Sequence, residues 1–167
     1  MTAASAITAT LASIFMGALS DRVRWRWGRK PFLLIGYLCW GITTALFPTS
    51  AFFGTVGMMI FMAILFDCIM TFFGTTANDS VFHAYVADIT TLENRGKVMG
   101  VLEILTWVAL LIVYGGAPIL IEAKGYAFFF YALGGMVFVL GLVANLLLKE
   151  PPLPKEPPTK SYLAQIA

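Results

Sequence analysis

Charge is scarce in this sequence: Asp, Glu, Lys and Arg make up 12% of its 167 residues, and the first twenty positions carry none. Soluble domains average about 25% charged residues, so a water-exposed globule is excluded. The chain has one histidine, His83, and two cysteines, Cys39 and Cys68, both inside apolar stretches. A disulfide-stapled scaffold and a His/Cys metal cluster are therefore excluded, and the two thiols read as reduced packing residues. The sequence holds no nucleophile motif, no phosphate-binding glycine loop and no long basic run, so enzymatic chemistry, a cofactor and nucleic acid are not expected. A basic region ahead of the first apolar stretch is also missing, which argues against a cleaved signal peptide.

What is present is apolar length. The chain is 59% hydrophobic with a mean hydropathy of +0.84. Five stretches, over 3–20, 32–48, 54–86, 98–121 and 126–148, are nearly free of charge. Each is long enough, or nearly so, to cross ~30 Å of hydrocarbon at 1.5 Å per helical residue. The expected fold class is an all-α polytopic membrane protein with five transmembrane helices. Numbered in order, the first connection holds Arg22, Arg24, Arg26, Arg29 and Lys30, the third Arg95 and Lys97, and the tail Lys149, Lys155 and Lys160. The second connection is uncharged and the fourth has only Lys124, so ten of the eleven basic residues share one face. Basic residues flanking spans stay in the cytoplasm, which predicts a multi-pass cell-membrane protein with its basic loops and tail cytoplasmic. Met1 then lies outside, and an external, unsignalled start points to one further helix ahead of it. After the half-domain at 1–150, five prolines between Pro151 and Pro158 mark an extended cytoplasmic linker over 151–167.

The densest local pattern is GALSDRVRWRWGRKP at 17–31. Topology alone needs the arginines but not Asp21. A carboxylate placed near arginines and near the start of the next helix gains from ion pairing and from the helix dipole, and such a cluster can latch one face of a helix bundle. The stretch resembles the signature between helices two and three of the major facilitator superfamily, G-x-L-[AS]-D-R-x-G-R-[KR]. Gly17, Leu19, Ser20, Asp21, Arg22, Gly28, Arg29 and Lys30 match, with four extra residues before the Gly-Arg pair. The longer spacing is similar to that of the sucrose symporters and of the glycoside-pentoside-hexuronide:cation symporters. ANDSVFHAYVADITTLENRG, at the end of the third span, resembles the helix-four region of the same branch. The resemblance implies that the five spans are helices 2 to 6 of a twelve-helix fold. It also implies that Asp21 with Arg22 and Arg29 forms a gating latch, within a loop that includes Gly17, Arg26, Gly28 and Lys30. For Arg24 and Arg26 the plainer alternative is topology and anionic headgroups.

Ionisable residues at membrane depth mark function by default, since each costs about 2.5–3.5 kcal/mol on insertion scales. Asp67 lies in the middle of the third span and Asp79 twelve positions later, with Asn78 beside it and His83 one turn on. By the branch pattern Asp79 matches the helix-four acid of cation coupling, with Asn78 and His83 as hydrogen-bonding neighbours; the alternative is a structural ion pair with His83 or a loop arginine. Asp67 is a second coupling candidate. Glu103 is expected to pair with Arg95 or Lys97. Residues 1–20 hold no acid, and Thr10 and Ser13 stand where melibiose-type carriers place carboxylates, which disfavours sodium and favours a proton. Trp107 is the aromatic residue placed to stack on a solute, while Gly36, Gly41, Gly134, Gly135 and Gly141 are expected to let helices approach closely. The function these features imply is secondary active transport of a small polar solute, such as a sugar or glycoside, by alternating access with a coupling proton or cation. Its partner would be a C-terminal half or a second copy. The competing expectation is a truncated membrane scaffold or subunit that transports nothing.

Overall fold

The computed structural model describes residues 3–149, and no strand occurs among the described residues. The elements are α1 (Ala3–Trp27), α2 (Lys30–Leu46), a 3-10 turn (Phe47–Phe52), α3 (Val56–Gly74), a π-helical segment (Thr75–Ser80), α4 (Val81–Ile89), α5 (Arg95–Lys124) and α6 (Tyr126–Leu147). Five stretches are long and apolar enough to cross a membrane: Ala3–Arg24, Lys30–Phe52, Val56–Ile89, Arg95–Lys124 and Tyr126–Leu147. This is the all-helical, five-span architecture expected from hydropathy. The linker expected at 151–167 lies outside the described residues.

The basic segment after Ser20 is not a loop. It continues α1 for another two turns, and the chain leaves the helix only at Gly28. Arginine is a good helix former, and Arg24 and Arg26 occupy the last turn of α1, where positive charge complements the exposed carbonyls. Gly28 closes the helix with φ +70° while its N–H donates to the Arg24 carbonyl at 3.0 Å, an αL cap that disfavours any side chain. Gly17, grouped by sequence with the loop, therefore stands inside α1, where it faces Ser80 of the π-helical segment.

The third span is a single rod with a fault in it. Thr55 caps its start by accepting the Met58 N–H at 3.4 Å. The helix then widens over TTANDS, where hydroxyls compete for backbone carbonyls. Thr76 Oγ1 donates to the Phe72 carbonyl at 2.7 Å, and Ser80 Oγ to the carbonyls of Thr75 and Thr76 at 3.4 and 3.3 Å. Thr75, Thr76 and Ala77 are buried, so the fault is packed in place against α1 and α2.

Helix packing rests on small residues. The broadest interface joins α2 to α6, and there a Cβ on Gly134 would lie 2.6 Å from the backbone of Gly41 and Ala45. A Cβ on Gly141 would lie 2.5 Å from Tyr37 Cβ, and one on Gly36 would lie 2.8 Å from Ala77 Cβ. Gly41 belongs to the same contact, whereas Gly135 faces open space; it lies one residue, about 100°, off the packed face. Leu33, Val81 and Tyr85 form the buried apolar cluster at the basic end, and Phe32, Tyr37, Phe82 and Leu148 close around it. Tyr85 Oη donates to the Lys149 carbonyl at 2.6 Å, pinning the end of α6 to α4. In contrast, α5 packs onto α6 and has no buried residue.

Backbone-to-backbone approach of this kind leaves no room for a methyl group. Gly134→Ala is expected to cost about 1–3 kcal/mol, read as a lower unfolding temperature in detergent micelles, while Gly135→Ala leaves it unchanged; equal stability of the two variants would refute the packing assignment.

Candidate functional site

Two groupings of polar side chains stand out in this apolar body. The first is at the basic end, around Arg29. This residue is the N-cap of α2, a helix with no acid in its first turn, so a cation stands at the positive end of a helix dipole. Other helices supply the missing negative charge. Arg29 Nη2 donates to Asp21 Oδ1 at 2.6 Å, Nε to Asp88 Oδ2 at 2.7 Å and Nη1 to Ser20 Oγ at 2.9 Å. Arg24 Nη1 meets the other Asp88 oxygen at 3.0 Å. Ser20, Asp21 and Arg24 belong to α1, Asp88 to α4 and Arg29 to the start of α2, so one guanidinium fork ties three helices together. Arg29 is 5% exposed. Five fixed donors suit it to that task better than a lysine, and the two acids balance the two bases, as burial demands.

The second grouping lies deeper. Asp79 lines two clefts at once. One, of about 230 Å³, is bounded by Trp40, Met70, Thr71, Gly74, Thr75 and Asn78. The other, of about 350 Å³, is bounded by Ala9, Thr10, Ser13, Ile14 and Thr75. At 1.5 Å per residue Asp67 and Asp79 fall about 8 and about 10 Å to either side of the middle of the third span. The π-helical segment puts Asn78 and Asp79 on the exposed side of the rod while the three residues before them are buried. Asp79 thereby shares a cleft with Thr10 and Ser13 of α1, the hydroxyls singled out in the sequence as standing in place of carboxylates.

The remaining candidates are spread out. His83 is exposed on α4 and lines neither cleft, and among the described residues no hydrogen bond joins it or Asn78 to Asp79. Asp67 is half-buried on α3, outside both clefts. Arg22 and Arg26 are exposed and make no ion pair among the described residues; Lys30 follows Arg29 into the first turn of α2. The Asp21 partner is thus Arg29 and not Arg22. Asp88 is the member of the cluster that motif matching passed over; Ser20 matched the motif without being given a role, and for Arg24 topology and headgroups were the plainer alternative to a place in the latch. The one trace in the sequence is an acid at the end of a span, and nothing local points from Asp88 to Arg29, 59 positions away. Nor does Glu103 pair with Arg95. That guanidinium caps α4 instead, donating to the Ala87 carbonyl at 2.8 Å and to Thr90 Oγ1 at 3.3 Å, because free carbonyls at a helix end lie nearer than a carboxylate two turns away. Glu103 accepts from the Trp107 indole N–H at 3.1 Å.

Residues 1–165 match the family model described as Major Facilitator Superfamily. The chain belongs to that superfamily. Multidrug resistance protein 2 of Bacillus subtilis (strain 168) is 28% identical to it over 150 residues, covering 90% of this chain and 34% of that protein. Multidrug resistance protein 1 of the same organism is 29% identical over 153 residues, covering 90% and 36%. The chain thus spans about a third of the length of the curated relatives it matches. No solved structure matches it.

Membership of the Major Facilitator Superfamily is therefore as expected, but these relatives give no support to the narrower sugar-symporter branch. The feature that suggested that branch has a local explanation. The extra residues before Gly28 are helical, and four of them amount to about one turn of α1.

Removing the fork would leave Asp21 and half of Asp88 unpaired. Arg29→Ala is expected to cost about 3–5 kcal/mol, whereas Arg22→Ala changes stability by less than about 0.5 kcal/mol; denaturation of both in matched micelles measures the difference, and equal effects would show that the arginines act only through net charge.

Proposed function

We propose that this chain is part of a secondary transporter that moves a small organic solute across the cell membrane by alternating access, with Asp79 as the coupling carboxylate and the Arg29 cluster as its cytoplasmic latch. The observation that carries the reading is the position of Asp79: in the π-helical fault, between two clefts, on the rod that also bears Asp88. An acid within a span, on the margin of two clefts, is a site able to exchange a proton with a solute or with water entering the cleft. Asp88 lies nine residues further along, about 13 Å at helical rise, within α4. A change in how Asp79 is hydrated or occupied would act on that short helix, and through it on the grip of Asp88 on Arg24 and Arg29.

The names of the relatives favour a drug-like solute over the sugar or glycoside suggested by the longer loop. The basic end is taken as cytoplasmic on the distribution of Lys and Arg. Midplane clefts between helices, closed by rocking of one bundle against another, are the usual architecture of such carriers, and the other bundle here would be a C-terminal half or a second copy.

Transport of ethidium into inverted membrane vesicles from cells expressing the natural gene product tests the assignment. Asp79→Asn is expected to abolish accumulation driven by a pH gradient while solute-for-solute exchange persists, since exchange needs the pathway and not the proton. Unchanged gradient-driven accumulation in both Asp79→Asn and Asp67→Asn would overturn it.

A further inference from the structure

Glu103 is the acid that neither the latch nor the Asp79 clefts employ. It lies eight residues into α5, about 12 Å along its axis, well within a stretch of 30 residues apolar enough to span a membrane. Among the described residues no cation pairs with it. Arg95 is committed to the end of α4, and Lys97 lies six positions earlier, about 9 Å along the axis and about 120° around it. What Glu103 has is the indole N–H of Trp107, one turn on. That bond fixes both groups: one carboxylate oxygen is held, the second is left to accept, and the ring is turned edge-on to the acid. Trp107 is 61% exposed, and Tyr114, seven residues further and so on the same face of the helix, is 74% exposed. The rest of α5 between Val98 and Ile121 is aliphatic, Gly, Pro or Thr.

A carboxylate in an apolar span calls for a positive counter-charge, and an indole face beside it attracts the same sign through its quadrupole. Neither group favours an anion, and an inorganic cation would leave the aromatic surface unused. We infer that Glu103 and Trp107 form a subsite for an organic cation, a quaternary or protonated centre carried on a flat or aryl apolar body, with Glu103 taking the charge and the Trp107 face the body. The inference rests on the transporter reading above but uses none of the residues assigned to coupling or latching.

The test is equilibrium binding to the natural gene product in lipid nanodiscs, with empty nanodiscs as the blank and no gradient imposed. The probes are tetraphenylphosphonium, its anionic shape-mate tetraphenylborate, and uncharged triphenylphosphine oxide. Tetraphenylphosphonium should bind in preference to tetraphenylborate. Glu103→Gln should weaken tetraphenylphosphonium about tenfold or more and leave triphenylphosphine oxide within about twofold. Glu103→Asp should recover part of the loss, Trp107→Phe should keep most of the affinity and Trp107→Leu should lose it. Equal tetraphenylphosphonium affinity in Glu103→Gln and the parent, or a parallel loss of the uncharged probe, would overturn the subsite. Because no proton gradient enters this measurement, failure of Asp79 as the coupling residue leaves its outcome unchanged. Failure here with Asp79→Asn still uncoupled removes the subsite alone.

Discussion

A guanidinium withdrawn from water must find anions before anything else can settle around it. Arg29 finds them on two different helices, Asp21 on α1 and Asp88 on α4, and adds the hydroxyl of Ser20. Those bonds fix where the basic ends of α1, α2 and α4 stand relative to each other. The register of α1 against the π-helical segment follows, with Gly17 facing Ser80, and so does the seating of Val81 and Tyr85 against Leu33. The turn at Gly28 is what allows it. With φ at +70° the chain reverses within three residues of Arg26, so that Arg29 returns toward the acid eight positions behind it.

Away from the basic end the cohesion is of another kind. Lipid tails are as apolar as leucine, so burying apolar side chains gives little drive for helices to associate inside a bilayer. Close approach does the work instead, and the glycines of α2 and α6 bring the two backbones together where larger residues would hold them apart. The two modes divide the molecule: a charged clasp where the helices emerge, and small-residue contact through the span. Between them α5, which packs onto α6 and buries no residue, is left as the helix with most surface to offer.

The spans were legible because a bilayer imposes one length and one composition on any helix that crosses it, and the five stretches showed both. Where a helix ends was less legible. Hydropathy marks the edge of the hydrocarbon, but hydrogen bonding in α1 continues past it to Trp27, so residues that looked like a loop form a helix bearing arginines. Half of the clasp was implied by the family resemblance, which placed Asp21 with Arg29, though also with Arg22. The other half was not, because Asp88 meets Arg29 across 59 positions of chain, and no local pattern encodes a contact of that separation. The π-helical fault was equally hidden: TTANDS is polar enough to suggest a functional stretch, but a widened turn depends on which hydroxyl reaches which carbonyl. Glu103 shows the same limit from the other side. Its nearest cations in sequence are Arg95 and Lys97, but the end of α4 claims Arg95 first.

The third span meets three different surroundings around its fault. Ala77 must face α2, where it fills the space that Gly36 leaves, and Asp88 must face the clasp; Asp79, lying between them, has to reach the clefts. In an α-helix successive residues turn by about 100°, and inserting a wider turn shifts the phase of everything beyond it. The rod thus carries a buried face before the fault and a differently aimed face after it. The third span holds one acid, Asp79, at the clefts, and nine residues beyond it a second, Asp88, bonded to two arginines. That geometry makes α4 the element that joins the deep clefts to the charged clasp along one span, because Asp88 near its end is held by arginines of two other helices.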